Sequence, residues 1–236
     1  MKTVTTWLAL IAGLAASATI ASPAKAISLT YGGTHVVGEG MKSSISGAKT
    51  IDFNSGSAPT SGIATYSTAS GAAATVVNTS VSGQHAMPNG DTSYYLTIAP
   101  QGSGVEGATG DVAINFNKSL DYFGIYLGSV DAYNSIDFYT NNGVKTITGS
   151  DITSTPDGNW FSQTSNLYVN FLANPGETFN KVVLKTSGIA FETDNHAYRE
   201  AAAKSVPEPG TIAGLLVMGA MGAGSLLKRK RLATIR

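Results

Sequence analysis

Glu192, Asp194 and Asn195 crowd the end of the last strand that the sequence predicts. Their carboxylate and amide oxygens suit calcium, which takes about six to eight oxygen ligands in a flexible shell. Asp52-Phe53-Asn54 and Asp157-Gly158-Asn159 offer similar oxygens on other loops. None of these completes an EF-hand loop, and Asp and Asn also make turns by bonding their own backbone. A second set of residues suits a sugar, whose apolar C–H face stacks on an aromatic ring while its hydroxyl rim meets polar groups. Trp160 adjoins the Asp157–Asn159 turn, and Tyr126, Tyr133 and Tyr139 are expected to display rings on an outer sheet face near Asp131 and Asn134. The competing assignment has Trp160 and Phe161 closing one end of a core.

Signs of catalysis are weaker. The three histidines, His35, His85 and His196, have no metal-ligand spacing, no Gly-x-Ser-x-Gly elbow occurs, and the chain contains no cysteine. Carboxylate pairs for glycosidic cleavage can be assembled from Glu39, Asp52, Glu106, Asp131 or Glu192. Acids are numerous enough for such pairs to arise by accident, and the chain is read as non-catalytic.

The elements that must hold these residues are β-strands. Val112, Ile114 and Phe116 alternate with Ala113, Asn115 and Asn117; Phe123, Ile125 and Leu127 alternate likewise, as do Leu167, Val169 and Phe171. Period two places the apolar set on one face of a strand. Val182 and Leu184, set between Lys181 and Lys185, repeat the pattern. Asn141-Asn142-Gly143 predicts a hairpin joining a strand over 136–139 to one over 144–148. Many short strands with Gly-rich connections and no helical periodicity before residue 201 predict an all-β domain, a single antiparallel β-sandwich of jelly-roll type over residues 27–200.

Charge separates this domain from its flanks. The whole chain is formally neutral, but residues 27–205 hold 14 Asp or Glu against 8 Lys or Arg, a net of −6. Nucleic-acid affinity comes from cations that neutralise phosphates, so an acidic domain excludes that partner. An exported domain without disulfides must be stabilised by its core, by metal or by other crosslinks.

The flanks read as addresses. Lys2 precedes the apolar run 7–14, and Ala24-Lys25-Ala26 offers small residues where a signal peptidase reads, so residues 1–26 are expected to be a signal peptide cleaved after Ala26; an uncleaved anchor is the alternative. A linker over 201–210 contains Pro207-Glu208-Pro209. Residues 211–227 carry no charge and are long enough to cross a thin hydrocarbon core as a transmembrane helix. The tail, 228–236, opens with Lys228, Arg229, Lys230 and Arg231, a cationic stop that holds the C-terminus in the cytoplasm.

In that order, the Pro-Glu-Pro motif, the apolar span and the basic cluster resemble the sorting signal of PEP-CTERM proteins. These are substrates of membrane transpeptidases called exosortases in Gram-negative bacteria. The resemblance implies recognition at Pro207, Glu208 and Pro209, removal of the tail, and delivery of the body to the cell surface or extracellular matrix. An anchor that is never processed is the alternative. Asn54–Gly62, Asp121–Tyr126 with Gly128–Asp131, and Phe191–Tyr198 are similar to stretches of a family of exosortase-dependent surface proteins of this sandwich type. That similarity implies the fold and the surface location and names no ligand; the role is expected to be structural or adhesive, and a surface polysaccharide is the partner that the aromatic residues suggest.

Overall fold

The computed structural model describes residues 27–68, 72–100 and 110–202. The expected signal peptide with its cleavage residues Ala24 and Ala26, the Pro207–Pro209 motif, the span over 211–227 and the Lys228–Arg231 cluster lie outside the described residues. Among those described, no helix is long and apolar enough to cross a membrane.

The described chain is largely β: β1 (Ile27–Tyr31), β2 (Thr34–His35), β3 (Met41–Lys42), β4 (Lys49–Ile51), β5 (Ala64–Thr68), β6 (Ala72–Val77), β7 (Tyr95–Pro100), β8 (Gly110–Gly128), β9 (Asn134–Thr140), β10 (Gly143–Thr148), β11 (Leu167–Ala173), β12 (Phe179–Thr186) and β13 (Phe191–Glu200). Eleven of these strands join one antiparallel sheet, and β2 with β3 forms a separate ribbon.

Strand β8, at 19 residues, is the spine. Its first part runs between β5 and β12, with Ile114 opposite both Tyr66 and Val182. Its last part runs between β11 and β13, with Tyr126 opposite both Tyr168 and Asp194. Between the two, Asn117, Lys118 and Ser119 are exposed. Strands β9 and β10 extend the first group beyond β12, while β1, β4, β7 and β6 extend the second.

Alternation explains the first part of β8: Val112, Ile114 and Phe116 are buried while Asn115 and Asn117 face outward. The apolar face meets aromatic rings from elsewhere. Phe138 of β9 lies 4.9 Å from Phe171 of β11 and 5.2 Å from Phe179 of β12 (ring centroids), and Phe123 of β8 packs against Phe138 and Phe171.

The last part of β8 departs from simple alternation, because both of its faces are covered. Tyr122 and Tyr126 are buried opposite Phe123 and Ile125. This second face is a tyrosine layer in which each ring is buried and each hydroxyl finds a partner. Tyr122 donates to Asn170 Oδ1 (2.8 Å), Tyr168 donates to the Asn195 carbonyl (3.1 Å), and Tyr126 donates to the Asn89 carbonyl. Tyr126, expected on an outer face, is therefore 2% exposed.

Residues 141–143 make the expected hairpin: Gly143 pairs with Thr140 across a two-residue loop, and its φ of +114° is a conformation that glycine adopts without a steric penalty. The helical element among the described residues had no counterpart in the sequence pattern. The single helical turn α1 (Gly149–Ile152) is closed by a capping box in which Thr148 and Asp151 bond each other's backbone N–H groups.

Candidate functional site

At the C-terminal end of β8 the chain turns through Ser129, whose φ is +41°, and then through Asp131–Asn134. Asn134 fastens this second turn. Its Oδ1 accepts from the Asp131 N–H (2.8 Å), and its Nδ2 donates to Thr186 Oγ1 (3.1 Å) and to the Ala190 carbonyl (3.4 Å). The turn thereby presents Asp131 and Tyr133. The Tyr133 hydroxyl donates to the Ile189 carbonyl (2.7 Å), which holds the ring half-open at the surface.

The opposite wall is the segment from Asp157 to Trp160. It is docked by a bridge between Asp131 and Asp157, and by Gly158 N–H donating to the Val130 carbonyl (3.1 Å). Contact is close enough that a Cβ on Gly158, where φ is +63°, would come within 2.5 Å of Asp131 Oδ1. Asn166 then pins the following loop. Its Nδ2 donates to the carbonyls of Asn159, Trp160 and Ser162 at 3.0, 3.2 and 3.0 Å, and its Oδ1 accepts from the N–H groups of Asn89 and Ser129 at 3.0 and 3.2 Å. Trp160 is left 38% exposed and Phe161 83% exposed, so neither closes the core.

Between these walls lies a surface cleft of about 170 Å³, lined by Trp160, Tyr133, Asp131, Asp157, His85 and Glu192 among others. Three of the four residues expected to bind a ligand, Trp160, Tyr133 and Asp131, are thus brought together from two separate loops. Tyr126, the fourth, lies outside the cleft in the tyrosine layer and lines a different hollow with His35 and Asn89. Tyr139 is on β9, away from both, with Lys181 over its ring. A larger hollow of about 580 Å³ beside Tyr66 has no acidic or basic side chain among the described residues of its wall.

The cleft is polar and acidic. Burial raises the Asp131 carboxyl above its ordinary value; a contact with Tyr133 opposes that shift and the Asp157 carboxylate adds to it. Glu192, 2% exposed, is pushed up to about 7 by burial, although the Ala86 N–H (3.0 Å) and the Ser129 hydroxyl (3.1 Å) both bond it and pull the other way. His85 joins through Tyr95: that hydroxyl donates to the Thr79 carbonyl (2.8 Å), so His85 Nδ1, 2.8 Å from the same oxygen, is the donor to it. In the neutral ring its Nε2 is then the acceptor. Carboxylates with a ring acceptor beside two exposed aromatics can bond sugar hydroxyls and stack on a sugar face. The volume suits one sugar unit, since drug-sized ligands occupy roughly 300 Å³ or more.

The three oxygen-bearing residues of β13 diverge. Glu192 turns to the cleft. Asp194 and Asn195 are fully buried beside Asp91 and Glu39: Ser93 Oγ donates to Asp91 (2.6 Å) and approaches Asp194 (3.5 Å), while Asn195 Nδ2 donates to the Glu39 carbonyl (2.6 Å). Burial and the adjacent Asp91 carboxylate push Asp194 up to about 10. Among the described residues, no three His, Cys, Asp or Glu side chains gather in a metal-holding group. His196 is a core residue, held between the Tyr66 hydroxyl (2.8 Å) and Thr193 Oγ1 (2.9 Å), and burial lowers it to about 3.

The sequence pattern had not singled out Asn166 or placed His85 in a site. Asn166 works through backbone carbonyls, which leave no residue-type signal, and His85 arrives through long-range folding. No protein-family model matches the chain, and no curated protein matches it.

Proposed function

We propose that this chain is an exported cell-surface or extracellular-matrix protein whose domain binds carbohydrate in the Trp160–Tyr133 cleft, in an adhesive role without catalysis. The observation that carries the reading is the convergence of Trp160, Tyr133 and Asp131, from separate loops, on one acidic cleft with exposed aromatic walls. Export and sorting rest on the sequence. Residues 1–26 act as signal peptide, 211–227 as a transient anchor stopped by Lys228–Arg231, and Pro207-Glu208-Pro209 as the mark read by an exosortase-type transpeptidase. The domain is taken as a jelly-roll sandwich folded about β8. Ring contact between Phe138 and Phe171, on strands that do not pair with each other, supports two facing layers.

The test is binding of the full chain, in mild detergent, to a glycan array, beside Trp160→Ala. Saturable binding to a defined sugar is expected, lost in the variant with the melting temperature unchanged to within about 2 °C, because an exposed side chain contributes little to stability. Folded wild-type protein that binds no glycan overturns the carbohydrate reading. A large fall in melting temperature on Trp160→Ala would return that residue to a packing role.

A further inference from the structure

The structure assigns a second site, distinct from the cleft: a calcium site at Asp91, Asp194 and Asn195. Each of these side chains is at least nine-tenths buried, and each keeps one oxygen, Asp91 Oδ2, Asp194 Oδ1 and Asn195 Oδ1, that no protein donor reaches. A buried acceptor without a partner is unfavourable, and three on residues that contact one another call for something electropositive among them.

The connectivity holds these oxygens together. Ser93 spans the carboxyls of Asp91 and Asp194. Asp91 pairs with Gly38 and Glu39, and the Asn195 amide is anchored by its Nδ2 on the Glu39 carbonyl. Asn195 sits at a break in the β13–β8 register with φ of +48°, next in sequence to Asp194. Its amide is thereby held next to Asp194 in the chain and against the Glu39 backbone, which bridges to Asp91.

The identity of the ion follows from the ligands. They are all hard oxygens, without sulfur or imidazole, which excludes a preference for zinc or copper. Two carboxylates match a divalent charge. Lys42, three residues on from Glu39, is taken up in an ion pair with it. Calcium tolerates an irregular mixture of carboxylate, amide and backbone oxygens, whereas magnesium demands near-ideal octahedral geometry. A proton shared between Asp91 and Asp194 would satisfy those two carboxyls and leave Asn195 Oδ1 unpaired. The consequence is mechanical. In a chain without cysteine, calcium would tie β13 to the 38–39 and 91–93 segments, and the second of these adjoins Asn89, which bonds Asn166 and so the Trp160 loop.

The deciding experiment is equilibrium dialysis of the chelator-stripped full chain against calcium chloride, with thermal melts in calcium and in EGTA. One bound calcium per chain is expected, with a melting temperature higher in millimolar calcium by roughly 5 °C. Asp194→Asn keeps the shape, removes one charge and should abolish both effects. If that variant does not fold, the metal content of the wild type decides alone. Wild-type protein that binds no calcium at millimolar concentration and melts at the same temperature in EGTA overturns the assignment. So does a folded Asp194→Asn protein that retains the calcium response.

Discussion

Asn166 is the most informative side chain to remove, because it joins the scaffold to the ligand-facing loop. Asn166→Ala deletes five hydrogen bonds of 3.0–3.2 Å. Four of them engage backbone groups of Asn89, Asn159, Trp160 and Ser162, which lie at or near the surface and can turn to water; each of those losses is worth about 0.5 kcal/mol. The fifth serves the Ser129 N–H in a residue only 4% exposed, and stranding that donor adds about 2 kcal/mol. The expected destabilisation is about 4 kcal/mol, large against the 5–15 kcal/mol that is typical of a domain. Asn166→Asp separates the two functions of the side chain. Its oxygen still accepts from Asn89 and Ser129, but a second oxygen now faces three carbonyls, so the loop should be expelled. The assay is urea unfolding followed by Trp160 fluorescence in a Trp7→Phe background, where Trp160 is the sole tryptophan. Both variants should shift native Trp160 emission to the red and weaken glycan binding. A loss under about 1 kcal/mol in Asn166→Ala, with emission unchanged, would refute the idea that this amide positions the loop.

How far this arrangement was legible in the sequence depends on which physical rule each residue obeys. Val112, Ile114 and Phe116 obey alternation because only one of their faces is covered, and Asn141-Asn142-Gly143 announces its hairpin locally. The last part of β8 hides its environment because Tyr126 is amphipathic. A tyrosine looks the same in sequence whether its hydroxyl meets water or, as here, the Asn89 carbonyl 37 residues away. Thr148 and Asp151 did carry a readable capping signal, but a single turn has no periodicity to draw attention to it. In the site, Trp160, Tyr133 and Asp131 were recognisable by chemical type. Their meeting depends on Asn134 and Asn166, whose roles exist only once distant strands have paired. Glu192 and Asp194 look equivalent in sequence, two apart on one strand. Their neighbours alone send one to the cleft and the other to a buried pair with Asp91.

Two other outcomes test export and architecture. Mass spectrometry of protein recovered from the cell surface should find peptides of the domain and none from Leu226 onward; intact C-terminal peptides in that fraction would show that the tail stays attached. Phe138 and Phe171 test the layer arrangement, because both are fully buried and their rings meet at 4.9 Å although β9 and β11 share no hydrogen bonds. Phe138→Ala should destabilise the domain by about 3–5 kcal/mol, the usual loss for a buried aromatic truncated to Ala. The stronger test is the double-mutant cycle with Phe171→Ala. If two layers face each other through these rings, the second truncation meets a partner already gone, and the pair should fall short of additivity by about 1 kcal/mol. Additivity within about 0.3 kcal/mol would mean that each ring packs only within its own layer, and the two-layer reading would lose its main support.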